Sequence, residues 1–297
     1  MKIFITGGSG FIGSAIVCEL VQAGHEVTGL ARSDASAQAL RDAGTAVYRG
    51  DLSDLDTLTA GARASEGVVH VGFVHDFTKY KQMCELDRQV IGALGRGLEG
   101  SDKPLVAAAA TVTAFGERGV ETDRYPPGAS ETIPRAASEE AVDALVERGV
   151  RAGIVRLSPS VHGEGDRAFV PMLIEIAQAK GVSAYIGDGK NRWNAVHRLD
   201  AAQVFARAVE RLQPGERFHA VAESEIAFRD IAIAIAELLD LPVRSISADE
   251  AESHFGSLHW AVALDCPTES WLTRERLDWS PTHPTLLDDL RSGIYAS

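Results

Sequence analysis

Residues 6–13 read TGGSGFIG, with glycines at 7, 10 and 13. The β-branched run KIFIT (2–6) precedes them, and a helical pattern from about Phe11 to Ala23 follows. Between a strand and a helix each glycine has a use. Gly7 permits a tight turn, Gly10 lets backbone approach a pyrophosphate, and Gly13 lets the helix pack close to the strand. The N–H groups at the helix start, around Phe11 and Ile12, and the positive end of the helix dipole then face the phosphates. The second strand, EVTGLA (26–31), runs into Arg32-Ser33. A carboxylate there would bind the ribose 2′-hydroxyl of NAD. Arg32 instead suits a 2′-phosphate, with Ser33 adding a donor, so the expected cofactor is NADP, with NAD as the alternative. Asp51-Leu52, after the third strand, falls where the adenine edge would be met, although Asp51 could equally cap the next helix. Farther on, ETIPRAASE (131–139) sets Arg135 four residues ahead of Glu139.

The elements that must position these residues alternate. Strand-like runs at 2–6, 26–31, 46–50, 67–73, 104–110 and 151–157 are separated by helical patterns at 11–23, 36–43, 54–62, 76–98 and 137–149. Such alternation implies right-handed βαβ crossovers and an α/β fold, a Rossmann doubly wound parallel sheet. After Pro159 glycines and prolines interrupt the rhythm, and helical pieces at 169–179, 200–211 and 228–239 are set apart by irregular stretches. The expected division is a dinucleotide-binding unit over 1–162 and a smaller C-terminal substrate lobe over 163–297, from which segments such as 195–212 could return to the first unit.

Of 297 residues 24% are charged, and the net charge of −13 comes with no dense basic tract. A nucleic-acid partner wants a basic face, so none is expected. No apolar run is long enough for a bilayer, and MKIFITGG has no signal-like core, so no membrane is expected and the expected location is cytoplasmic. Cys18, Cys84 and Cys266 are far apart and odd in number, which argues against a disulfide framework or a metal site.

Taken in order, TGGSGFIG, GHEVTGLARS, RGDLSD, GVVHVGF and SWLTRERLDWSPTHP resemble the extended short-chain dehydrogenase/reductase superfamily, whose members are often called NAD-dependent epimerase/dehydratase-like. The resemblance spans almost the whole chain. It implies a Rossmann unit with a small substrate lobe, and a homodimer formed through helices 76–98 and 137–149. It places Thr111, in VAAAATVTAFG (106–116), at the catalytic hydroxyl, and Phe115-Gly116 where Tyr-Gly is usual. It places Val71-Gly72-Phe73 in the loop flanking the cofactor, and Pro159 at the start of a loop along the nicotinamide. The departure is ETIPRAASE. The superfamily pattern reads Tyr-x-x-Ser-Lys here, which sets Arg135 on the tyrosine and Glu139 on the lysine, and no tyrosine elsewhere has a lysine four residues on.

A reductase needs a hydride and a proton, and the protein must place the proton. Arginine, with a pKa above about 12, is a poor donor but a good clamp for an oxyanion or carboxylate. Arg135 is therefore read as a charge stabiliser, and Glu139 mostly as a first-turn residue suited to the helix dipole. The proton is sought at His75, after the fourth strand, at His162, after the sixth, at Thr111, or at Tyr125 in the loop before Arg135. In GDGKNRWNAVHRLDAA (187–202), Arg192 and Trp193 could clamp and stack on a substrate, Trp193 could equally pack between the lobes, and Asp200 is expected to cap a helix. These residues point to an NADP-dependent oxidoreductase for a small carbonyl or hydroxyl compound. The alternatives are an epimerase or dehydratase that retains its cofactor, and a catalytically silent NADP(H)-binding sensor.

Overall fold

A computed structural model describes residues 1–111 and 118–296. The elements of the first half are β1 (Lys2–Thr6), α1 (Phe11–Gln22), β2 (Glu26–Ala31), α2 (Asp34–Asp42), β3 (Ala46–Arg49), α3 (Leu55–Ala64), β4 (Gly67–His70), α4 (Tyr80–Leu98), β5 (Leu105–Ala110), α5 (Ala136–Glu147) and β6 (Ala152–Leu157). There follow β7 (Ser160–His162), α6 (Phe169–Lys180), β8 (Ser183–Ile186), β9 (Arg192–His197), α7 (Arg198–Arg211), β10 (Arg217–Ala220) and β11 (Glu223–Ala227). The last elements are α8 (Phe228–Leu239), β12 (Val243–Ile246), α9 (Ala248–Phe255), α10 (His259–Val262), α11 (Trp271–Leu277) and α12 (Leu286–Ser292).

Seven strands form one parallel sheet in the order β10-β6-β5-β4-β1-β2-β3. The strands are continuous apolar runs because helices cover both faces. One face packs Ile16 and Leu20 of α1 with Val204, Phe205 and Val209 of α7. The other packs Leu58 of α3, Val90 and Leu94 of α4, and Val142 and Leu145 of α5. The strand order reverses between β1 and β4, and the crevice at such a switch point is where ligands bind in open α/β sheets.

The sheet has one strand more than the six read from the sequence. β10 pairs in parallel with β6, from Arg217 opposite Ile154 to Ala220 opposite Leu157. Its sequence RFHA, with an arginine and a histidine among four residues, does not stand out as an apolar run. A second core, around Trp193, Phe228, Ile231, Phe255 and Leu286, lies between the three-stranded sheet β11-β9-β7, the pair β12-β8 and α6, α8, α9 and α12. The helix α4 presents Lys81, Gln82, Glu85, Gln89 and Arg96 to solvent. No helix among the described residues is long and apolar enough to cross a membrane.

Under α12 the three-stranded sheet carries a buried polar cluster. His162 Nδ1 lies 2.6 Å from Asp289 Oδ2, and its ring stands edge-on to His197 at 5.4 Å. His197 stacks on His283 at 4.8 Å, and His283 Nδ1 lies 2.8 Å from Asp200 Oδ1. His197 Nδ1 accepts from Leu199 N–H, so His197 caps α7. Asp200 is not the cap expected of it. It accepts instead from the backbone of Thr282 and His283. Burial first, and then His162, lower the His197 pKa from 6.5 to about 4. The unfolded chain therefore takes up protons that the folded chain refuses. This contribution to stability is complete above about pH 6.5 and is lost as the pH falls toward about 4. The urea midpoint is expected to be lower at about pH 5 than at about pH 7.5. His197→Asn, which keeps an acceptor for Leu199, should flatten that dependence.

Candidate active site

The glycine turn joins β1 to α1 at the carboxyl edge of the sheet. Gly7 has φ of +73°, and a Cβ there would lie 2.6 Å from Gly72 N. A Cβ on Gly13 would lie 2.0 Å from the Gly7 carbonyl oxygen. Gly10 N–H donates to Gly7 O at 2.9 Å. Gly10 is also the N-cap residue of α1, and no side chain caps that helix. Its first N–H groups are thus left for another acceptor, and around them the turn is closed to side chains. Phe11 and Ile12 stand at this start, half-buried against the first core. Leu52 also reaches the turn, its Cδ1 lying 3.4 Å from a Cβ built on Gly72.

Arg32 is exposed at the end of β2. Asp51 accepts from Ser53 N–H at 2.9 Å and from its hydroxyl at 2.7 Å, and those bonds, followed by the charge of Arg32, hold its carboxyl below the usual value. The helix after it is capped by Asp54, so capping is not the role of Asp51. The Ser33 hydroxyl caps α2 by accepting from Ser36 N–H at 3.1 Å. It is committed to that helix before it could serve a phosphate.

From the turn a buried polar chain runs across the sheet. Thr6 Oγ1 lies 2.6 Å from His70 Nδ1, and His70 Nε2 lies 2.9 Å from Asp87 Oδ1. Asp87 Oδ2 accepts from Arg135 Nη1 at 2.7 Å and from the Ser138 hydroxyl. Arg135 Nη2 donates to Ala108 O at 2.9 Å. Burial would raise the Asp87 pKa, but Arg135 and the hydrogen bonds from His70 and Ser138 outweigh it and hold the carboxyl well below its usual range. Burial would likewise lower Arg135, and Asp87 reverses this, so the guanidinium is held more firmly charged than usual.

Around Arg135 the structure gathers groups from three segments. Phe73, after Val71 and Gly72, lies under the guanidinium at 4.6 Å. His75 stands edge-on to Phe73 at 5.2 Å, and burial followed by Arg135 lowers its pKa, leaving a neutral imidazole at neutrality. Tyr80, which the sequence reading passed over, packs edge-on to Phe73 at 6.3 Å, and its hydroxyl is hydrogen-bonded to the Cys84 thiol. Burial pushes the Tyr80 pKa up to about 12. Tyr125 is half-buried, and burial followed by Glu139 raises its pKa. Asp87 was also missed. It gives no signal in a sequence beyond a charge on the inward face of a helix.

Other expected site residues are committed elsewhere. Thr111 is buried at the end of β5 and donates to Asn194 Oδ1 at 3.1 Å, while Asn194 Nδ2 donates to Cys266 O at 2.7 Å. Phe115 and Gly116 lie outside the described residues. Pro159 is half-buried in the link from β6 to β7. His162 is 0% exposed and held by Asp289, so it cannot pass a proton to a ligand directly. Trp193 is also 0% exposed, packed against Phe169 and Phe228, and its ring cannot stack on a substrate. It fills the second core rather than a seam between lobes. Arg192 makes a two-pronged pair with Asp265, Nε and Nη2 each at 2.8 Å, with Glu225 at 3.6 Å.

Glu139 stands in the first turn of α5 as expected, but it is 1% exposed and its partners are not the helix dipole alone. Its carboxylate accepts from Arg156 Nε and Nη2, both at 2.8 Å, and from Arg217 Nε at 3.3 Å. Arg156 also donates to Asp123 O at 2.7 Å, tying down the segment that carries Tyr125. Among the described residues no group of three or more His, Cys, Asp or Glu side chains is arranged to hold a metal.

Residues 3–221 match the NAD dependent epimerase/dehydratase family. An uncharacterized protein of Schizosaccharomyces pombe is 50% identical over 297 residues, covering 99% of this chain and 100% of its own length. A 2-alkyl-3-oxoalkanoate reductase of Stenotrophomonas maltophilia is 29% identical over 225 residues, covering 72% of this chain and 67% of that protein. The dTDP-glucose 4,6-dehydratase of Streptomyces venezuelae, solved with NAD bound, is similar in fold, with a TM-score of 0.77 at 19% identity over 99% of this chain and 96% of that one.

Two substitutions probe this architecture. Gly13→Ala forces the turn apart and should weaken binding of a reduced nicotinamide coenzyme, NADH or NADPH, at least about tenfold in a fluorescence titration. Glu139→Ala leaves the buried Arg156 guanidinium without its carboxylate, while Arg217 keeps Asp143, and should cost about 3–5 kcal/mol of stability in urea denaturation.

Proposed function

This chain belongs to the NAD dependent epimerase/dehydratase family, and we propose that within it the protein is an NADP-dependent oxidoreductase of the short-chain dehydrogenase/reductase type, acting on a small carbonyl or hydroxyl compound. The observation that carries the proposal is the pairing of an uncapped glycine turn with a half-buried, permanently charged Arg135 at the same edge of the sheet. Gly7 and Gly13 leave no room for side chains, and the start of α1 has no side-chain acceptor, which fits a dinucleotide pyrophosphate. A nicotinamide coenzyme held there supplies or accepts hydride.

The remaining chemistry belongs to the protein. Arg135 stabilises negative charge developing on a substrate oxygen, but it is too firmly protonated to be the acid. Its partner Asp87 holds it in place and offsets part of its charge. The Arg32 guanidinium, exposed at the end of β2, is the group for a 2′-phosphate. The similarity to a 2-alkyl-3-oxoalkanoate reductase supports carbonyl reduction, and a UDP-glucose 4-epimerase among the relatives leaves epimerisation as the alternative. A second reading, a cofactor-binding sensor, draws on Thr111, whose hydroxyl is spent on Asn194.

NADPH is expected to bind more tightly than NADH, and Arg32→Ala to raise the Kd for NADPH about 10- to 100-fold with little change for NADH, as the loss of a charge-assisted contact requires. Equal affinities in the wild type would overturn the NADP preference. Net NADPH oxidation at 340 nm across a panel of ketones and aldehydes supports the oxidoreductase. Retained coenzyme without net redox supports an epimerase or dehydratase, and tight binding without turnover supports the sensor.

A further inference from the structure

Tyr80 opens α4 a few residues beyond Gly72, whose backbone touches the Gly7 turn. Its ring is therefore carried at the carboxyl edge of the sheet. It stands edge-on to Phe73 at 6.3 Å and 65°, and another partner of Phe73 is the Arg135 guanidinium, 4.6 Å from the ring centre. One helical turn on, the Cys84 thiol holds the Tyr80 hydroxyl, and two turns on, Asp87 holds Arg135. A single helix thus fixes both a phenol and the counter-charge of the nearby cation. From this juxtaposition we infer that Tyr80 is the proton donor of the site, supplying from the first turn of α4 what Arg135 cannot supply from the start of α5. The inference rests on the oxidoreductase reading above.

The role needs a group that is protonated at neutrality and whose conjugate base is stabilised nearby. Burial keeps the Tyr80 phenol protonated, and the charge of Arg135 opposes that rise, so a phenolate formed there meets a cation. His75 is already neutral, with Arg135 opposing its protonation. Thr111 is 2% exposed and gives its proton to Asn194, whereas Tyr80 is only half-buried, and His162 is sealed against Asp289. For a Tyr125 phenolate the strongest ionised neighbour is the Glu139 carboxylate, ahead of Arg156 and Arg135, whereas for Tyr80 it is the Arg135 cation, ahead of the Asp87 carboxylate. In the reductive direction the Tyr80 O–H bond breaks, and its proton goes to the substrate oxygen as the carbonyl carbon receives a hydride from the reduced nicotinamide. The carbonyl becomes a hydroxyl and the electron pair comes wholly from the coenzyme. The Tyr80 phenolate rests beside Arg135 until solvent returns a proton.

The test uses the full chain labelled with 13Cζ-tyrosine. The Tyr80 resonance, identified by its disappearance in Tyr80→Phe, should move when NADP+ saturates the protein, because the oxidised nicotinamide brings a positive charge to the phenol. Tyr80→Phe should lower kcat for carbonyl reduction at least about 100-fold, with the Kd for NADPH unchanged. A Tyr80 resonance that stays fixed at saturating NADP+ overturns the assignment whether or not any substrate is found. So does a Tyr80→Phe protein that keeps kcat within about twofold of the wild type. A wild type that binds NADP+ and reduces no carbonyl overturns the oxidoreductase reading, and this assignment falls with it.

Discussion

A carboxylate sealed inside a protein must be answered by charge and hydrogen bonds, because its desolvation costs several kcal/mol. Asp87 is such a group, 4% exposed, and its answers come from different parts of the chain. His70 reaches it from β4, and Arg135 and Ser138 from the start of α5. These bonds fix how α4 and α5 lie against each other and where α5 begins. They also extend to the glycine turn, since His70 holds Thr6, whose hydroxyl accepts from Gly72 N–H at 3.3 Å. Glycine turn and charged centre are therefore parts of one hydrogen-bonded body.

Where a phenol and an ammonium are usual, this chain has a guanidinium and a carboxylate, and the structure separates their duties. Arg135 turns toward Asp87 and Phe73, at the ligand edge of the sheet. Glu139, one turn along α5, turns inward to Arg156 and Arg217 and braces β6 and β10. The two do not pair with each other. One position places a charge at the carboxyl edge of the sheet and the other holds the scaffold beneath it.

Much of the first half was legible because its signals are local. KIFIT, TGGSGFIG and EVTGLA carry strand, turn and strand within themselves, and the helix at 137–149 lies within a residue or two of its place. The roles of single polar residues were less legible, because their partners lie far along the chain. His162 is explained by Asp289, 127 residues on, and Glu139 by Arg217, 78 residues on. Trp193 in isolation reads as well for a stacking platform as for a core. Only Phe169, Phe228 and the carbonyl of Ala261 decide it. Tyr80 was overlooked because it lacks a lysine four residues on. Its cation comes instead from another helix.

The edge strand β10 bears on the order in which the molecule assembles. Six strands of the large sheet are complete by residue 157, yet the seventh arrives only at 217–220, after α6, β8, β9 and α7. Until then β6 has an unpaired edge, and the Arg156–Glu139 pair lacks Arg217. A chain emerging from the ribosome therefore holds an open, apolar strand margin for some sixty residues of synthesis, a period when edge-to-edge association is a hazard. Closing that margin is a long-range contact, and its loop-closure entropy must be met before the pairing can stabilise the sheet.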